Sequence, residues 1–379
     1  MGKIKLFGTL TCLFLTLISF QALALNLSRI DLSHKYDPDA PVKATYRVTQ
    51  NGQEITVFLI IRSDSATLWS REFLLQNGYE SEDHRNLNPP VQMIESTGQL
   101  WRGSISFTAS NDENLLILKL GGDFNFYFDI PLKYGRVAFP HFYPIAQGNP
   151  NVTSFLPTNA LTWNTSDPIH VTSYTDNFAA ADAPMEEMKA LMPTVDEDST
   201  FFFNNSTQFL DYHFYTFRVD STSSESITLL KTPPYYPTFR LVKELIRPMK
   251  YITTEIEYKT LLQSSRPKRT FDEFWINTYG TKFRARNSIR KYFKSVEYAN
   301  EYFTNFKQGW KTDRGMIFII FGTPLEMYRT NTNETWVYEN QEFEFLKVSS
   351  LFAPIFALRK DKKYEKEWYK EVGRLRKGE

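Results

Sequence analysis

The sequence predicts a multidomain, mainly β protein: an N-terminal immunoglobulin-like β-sandwich, a second β-rich unit and a C-terminal α+β domain. Three observations predict it. The chain has 379 residues, room for two or three domains at roughly 100 to 200 residues each. After Pro237 the hydrophobic pattern changes from short alternating runs to helical spacing. The charge divides near the same place: residues 25–239 hold 14 Lys+Arg and 25 Asp+Glu, or −11, while residues 240–379 hold 28 and 18, or +10. With 32 Phe, 21 Tyr and 7 Trp the chain is too rich in aromatic groups to be disordered.

The first element is an export signal over residues 1–24. Lys3 and Lys5 form a basic head, residues 6–20 an apolar run, and Ala22-Leu23-Ala24 offers the small residues of a cleavage site before Leu25. That run is shorter than the roughly 20 residues a membrane span needs, and no later segment approaches that length. The lone cysteine, Cys12, follows Thr9-Leu10-Thr11 and lacks the small residue of a lipidation site. The mature chain is then free of cysteine, which removes thiol catalysis, thiolate zinc sites and disulfides together.

Residues 25–135 read as the sandwich. Runs at 42–48, 55–61, 100–107, 115–120 and 124–130 are broken by turn residues, and six or seven strands are expected. Asn51-Gly52 signals a tight hairpin, Gly121-Gly122 a second one, and Leu116-Ile117-Leu118 a strand buried on both faces. Residues 136–237 form the second β unit, with strands near 169–174, 201–203, 209–219 and 227–230 and a short helix expected over 179–192.

Residues 238–379 are the α+β domain. Thr270 and Glu273 have capping-box spacing ahead of Phe274-Trp275. Ala299, Tyr302, Phe303 and Phe306 recur on one helix face, and Gly309 is expected to end that helix in a left-handed conformation. Residues 316–321 read as a buried strand, 335–338 and 342–348 as further strands, and 360–377 as a charged helix with Tyr364, Trp368, Val372 and Leu375 on one side.

Gly309-Trp310-Lys311-Thr312-Asp313-Arg314-Gly315, followed by Gly322-Thr323-Pro324, resembles the GWxTD domain family. Met249-Lys250-Tyr251-Ile252, Glu257-Tyr258, Phe274-Trp275, Tyr298-Ala299-Asn300 and Thr335-Trp336-Val337-Tyr338 extend the resemblance over residues 240–379. It implies an exported protein, largely of Gram-negative bacteria, with a β-rich region ahead of the named domain. It implies no activity, because none is established for the family. Read from the residues, Gly309, Trp310, Thr312, Asp313, Arg314, Gly315, Gly322 and Pro324 each have a structural task at a helix-to-strand joint. The alternative is a polar site in which Asp313, Arg314 and Glu326 converge.

Catalysis has little to work with. His34, His84, His141, His170 and His213 all precede residue 214, so the C-terminal domain has no His-based triad or zinc site. HExxH, Walker and Rossmann patterns are absent. What remains is a carboxylate pair drawn from Asp272, Glu273, Asp313 and Glu326, which glycan hydrolysis would need about 5 to 9.5 Å apart. The aromatics of Phe139-Pro140-His141-Phe142-Tyr143-Pro144 and Pro234-Tyr235-Tyr236-Pro237 either stack on a ligand or pack the seams between domains, and the seams are favoured.

The expectation is therefore a non-catalytic scaffold, periplasmic or associated with the outer membrane, with no cofactor, metal or catalytic residue. Its partners are envelope proteins or surface glycans and not nucleic acid, and its oppositely charged halves dock on each other. A carbohydrate-binding module and a carboxylate-dependent glycan-acting enzyme are the alternatives.

Overall fold

The computed structural model describes residues 25–64, 69–122, 124–133, 139–187 and 195–378, so the export-signal residues lie outside it. The first unit has eight strands: β1 (Val42–Asn51), β2 (Glu54–Ser63), β3 (Ser70–Gln76), β4 (His84–Leu87), β5 (Val91–Ser96), β6 (Leu100–Thr108), β7 (Leu115–Gly121) and β8 (Asn125–Pro131). They form two antiparallel sheets, β1-β2-β6-β5 and β4-β3-β7-β8. Lettered along the chain with one C′ strand, these are A-B-E-D and C′-C-F-G, the immunoglobulin arrangement. Leu59, Ile105, Leu116, Leu118 and Phe128 fill the space between the sheets.

Asn51 pairs with Glu54 around Gly52, whose φ of 60° is the left-handed value that the turn requires. Strand β7 is buried on both faces because Leu116 and Leu118 enter the sandwich while Leu115 and Ile117 join the core of the C-terminal domain.

The second unit is built from β9 (Pro144–Ala146), β10 (Asn149–Pro150), β11 (Phe155–Leu156), β12 (Leu161–Trp163), β13 (His170–Thr175), β14 (Ser199–Phe202), β15 (His213–Arg218) and β16 (Ile227–Lys231). A small sheet, β10-β9-β12, faces a larger one, β11-β16-β15-β13-β14. Phe142, Val171, Phe209, Phe217 and Leu229 make its core. In the stretch expected to be helical, residues 179–187 carry only a turn around Pro184, and 188–194 lie outside the described residues.

The C-terminal region has helices α1 (Val242–Ile246), α2 (Glu255–Gln263), α3 (Pro267–Tyr279), α4 (Lys282–Phe303), α5 (Asp313–Phe321) and α6 (Glu365–Lys377). Its antiparallel sheet runs in chain order through β17 (Glu326–Arg329), β18 (Asn333–Tyr338), β19 (Gln341–Val348) and β20 (Ile355–Leu358). No helix among the described residues is long and apolar enough to cross a membrane.

Three sequence expectations are corrected here. Residues 316–321 are helix α5 and not a strand. A short apolar run buried on every side has no period to read, and the Thr312 hydroxyl decides for helix by accepting from the Gly315 amide at 2.9 Å. Thr270 does not cap α3, which starts three residues earlier at Pro267, and Glu273 pairs with Arg269. The capping box belongs to α2, between Thr254 and Glu257. Gly309 is not at positive φ, and α4 already stops at Phe303.

Candidate functional site: a heptapeptide hub and a charged seam

The segment from Gly309 to Gly315 joins α4 to α5 through a single 3-10 turn, and its side chains reach different units. Gly309 lies so close to α4 that a Cβ there would come within 2.0 Å of the Ala299 carbonyl oxygen. Gly315 lies equally close to the Gly309 carbonyl. Both glycines are required by close approach, since any side chain would push backbone against backbone.

Trp310 is buried, donates from its indole to Gln308 Oε1 at 2.9 Å, and has its own amide held by Asn300 Oδ1 at 3.1 Å. Asn300 in turn donates to the Pro237 carbonyl, at the joint between the second unit and the helices. Lys311 turns the other way and forms a buried ion pair with Asp176 of the second unit at 2.9 Å. Asp313 accepts from the Leu358 amide at 2.9 Å and so ties α5 to β20. Burial pushes its carboxyl above the usual carboxylate range, against the pull of that amide and of Lys307.

Arg314 reaches the opposite side, where the N-terminal residues cross the C-terminal sheet. Residues 27–36 run along β17, with Leu32 donating to Met327 O and Asp31 accepting from the Met327 amide, both at 2.8 Å. This places Lys35 and Tyr36 beside Asp129 of β8 and Arg329 and Glu334 of the C-terminal sheet. Asp129 and Glu334 have no exposed surface, and Arg329 retains 7%. Arg329 bridges the two carboxylates. Asp129 also accepts from Lys35 and from the Tyr79 hydroxyl at 2.6 Å, and Glu334 from the Trp336 indole at 2.8 Å. The Tyr36 hydroxyl accepts from Arg314 and Arg329, both at 2.9 Å, and donates to Glu334 at 3.3 Å.

Burial alone would raise both carboxyls, but Arg329 with Lys35 at Asp129, and Arg329 with Arg314 at Glu334, hold them below their ordinary range. The acidic β half and the basic C-terminal half therefore meet through a few desolvated pairs, since screening removes longer-range attraction.

His34 packs edge-on against Phe126 and Phe128 at this seam, its Nε2 without a partner among the described residues. Burial, followed by the neighbouring Lys35, lowers its pKa to about 4, while Asp31 and Asp129 oppose the shift. The unfolded chain takes up this proton near the ordinary value of about 6.5. The contribution of neutral His34 is thus complete above that pH and is lost as pH falls towards 4. In His34→Phe the melting temperature is expected to fall less between about pH 7 and about pH 5 than in the wild type. Equal pH slopes would contradict this.

The polar site expected from Asp313, Arg314 and Glu326 does not form. Asp313 is taken up by the Leu358 amide and Arg314 by Tyr36 and Glu334, and exposed Glu326 accepts from Tyr328 on its own strand. Asp272, half-buried, and Glu273, exposed, lie on α3 paired with Lys268 and Arg269. Gly322 takes φ 78° at the end of α5 and its carbonyl accepts from Tyr338, while Pro324 is buried in the turn that follows. Phe142 and Tyr236 from the two aromatic segments lie inside cores, and Tyr143 packs on Phe58 across the first seam.

Asp129, Arg329 and Glu334 were not among the expected site residues. Their one sequence signal is a charge inside a strand of large apolar residues, as in Phe126-Tyr127-Phe128-Asp129-Ile130.

Residues 213–377 match the family model of the GWxTD domain. The chain carries a GWxTD domain. The match begins inside β15, ahead of the helices, so the GWxTD domain overlaps the larger sheet of the second unit. No curated protein matches. A solved structure described as Dpr11 IG1 bound to DIP-gamma IG+IG2 matches at 10% identity over 50% of this chain and 98% of that chain, with a TM-score of 0.16. At that score the likeness carries no argument, and the immunoglobulin-like arrangement rests on strand order.

Proposed function

We propose that this protein is an exported, non-catalytic scaffold of the cell envelope that binds other envelope proteins through the edge of its immunoglobulin-like sheet. The leader-like residues 1–24 support export to the periplasm or the outer membrane. The motif supports a structural and not a chemical role, because Lys311 and Arg314 tie its segment to the other two units while Trp310, Thr312 and Asp313 hold the C-terminal region together.

The observation that carries the reading is strand β5. It ends the sheet β1-β2-β6-β5 and, among the described residues, pairs on one side only. Val91, Met93 and Ile94 are 52%, 63% and 45% exposed there. A bulge at Ile94 breaks the register with β6, so Val91 to Met93 are the regularly paired stretch ahead of it. Such an edge invites unwanted pairing unless a partner strand covers it. Backbone hydrogen bonds would then supply affinity, and the exposed side chains selectivity.

The test is capture from the native envelope with wild type, Met93→Glu and Phe283→Glu, the last changing an exposed residue on α4 far along the chain. A discrete protein held by wild type and Phe283→Glu but lost with Met93→Glu is expected, together with a mature start near Leu25. Equal capture by all three, or release by free glycan alone, would overturn the edge assignment.

A further inference from the structure

Beside the charged seam, where the three units meet, lies a cavity of about 390 Å³. Lys35, Lys43, Arg62, Arg314, Arg329 and Lys347 line it, against the single carboxylate of Glu301 among the described lining residues. Glu301 is exposed at the rim. Deeper in, Lys35, Arg314 and Arg329 share two carboxylates, Asp129 and Glu334, so three cations face two anions.

Lys347 adds a further cation with no ion-pair or hydrogen-bond partner for its ammonium among the described residues. Burial and the nearby Arg329 depress its pKa, against the opposing pull of Asp129 and Glu334, which are already shared by three other cations. Lys43 finds only a neutral group, donating to the Tyr302 hydroxyl at 3.4 Å. Lys43, Arg314 and Lys347 are half-buried and Arg62 is exposed, and an excess of partly desolvated positive charge carries a cost that a bound anion offsets.

We infer that this cavity binds a small organic anion, a phosphate or carboxylate on a body the size of a sugar, with the anionic group held among Lys43, Arg314 and Lys347. The volume falls in the range of small-ligand sites, roughly 300 to 1,000 Å³. Tyr36, Tyr302 and Phe356 supply the apolar walls such a body needs. A second cavity of about 320 Å³ shares Tyr46, Lys347 and Pro354 with the first, so Lys347 lines both. This site is independent of the β5 edge and makes no use of the motif glycines or Trp310.

The experiment titrates the purified protein at constant ionic strength with inorganic phosphate, glucose 6-phosphate, gluconate and neutral glucose, using calorimetry and thermal melting. Glucose 6-phosphate or gluconate is expected to bind and to raise the melting temperature, phosphate to compete with it, and glucose to do neither. Lys347→Met should weaken anion binding by about tenfold or more, the loss of one charge-assisted contact. It should also melt no lower than wild type without ligand, because it removes an uncompensated charge. Absence of binding by every anion at millimolar concentration, or undiminished binding by Lys347→Met, would overturn the assignment. A lower melting temperature for ligand-free Lys347→Met would equally contradict the charge imbalance on which it rests.

Discussion

Arg329→Met is expected to lower stability by about 3–5 kcal/mol, the usual consequence of removing one partner from a buried charge network. The guanidinium donates to Asp129 of the immunoglobulin-like unit and to Glu334 of the GWxTD domain, and neither carboxylate touches solvent. Methionine fills much of the same space, so the loss reports the stranded charges and not a cavity. Lys35 and Arg314 remain as partial partners and moderate it.

The pH dependence has a fixed sign. Both carboxyls are held below their unfolded values, so the stability they contribute is present above the ordinary carboxylate range and is lost as pH falls through the depressed values. Without Arg329 they protonate more readily in the folded state. The gap between variant and wild type should therefore narrow on acidification. Urea denaturation at neutral and acid pH measures it, and a gap independent of pH would show that the seam carboxylates are not coupled to Arg329.

Trp310→Ala is expected to cost about 3–5 kcal/mol, the typical range for truncating a buried aromatic residue to alanine. The ring packs edge-on against Tyr251, whose hydroxyl donates to the Trp310 carbonyl at 2.9 Å. Its indole also satisfies Gln308, which is buried and cannot turn to water. Trp310→Phe should recover only part of the loss, since it restores ring volume but leaves the Gln308 oxygen unpaired. Full recovery with phenylalanine would reduce the role of Trp310 to volume. Unchanged melting of Trp310→Ala with loss of partner binding would make it a contact residue.

Local signals in the sequence proved readable where one face meets solvent or a turn has a steric requirement. Asn51-Gly52 marks the β1-β2 hairpin, and Trp368 of α6 is buried together with Tyr364 in the turn just before that helix. Six or seven strands are expected where eight form, and β3 to β5 have no located run, because Ser70-Arg71-Glu72 and His84-Arg85-Asn86 have no apolar alternation. Residues 316–321 failed for the opposite reason, being apolar throughout.

The motif is recognisable as a unit with structural tasks, and Trp310 is buried and Thr312 holds a local amide as expected, but its long-range partners are not legible. Asp313 meets an amide 45 residues on, and the partners of Arg314 include Tyr36, 278 residues away. The seam was hidden in the same way. Asp129 and Arg329 occupy strands where a single charge reads as a solvent face, and only the tertiary arrangement brings them together.

The central claim is that the heptapeptide and the seam lock the three units into one cooperative body. Differential scanning calorimetry of the purified protein tests it most directly, because loosely joined domains unfold separately. One transition is predicted, with calorimetric and van't Hoff enthalpies in agreement, splitting into separate transitions in Arg329→Met. Two or more transitions in the wild type, with the immunoglobulin-like unit unfolding independently of the GWxTD domain, would contradict it.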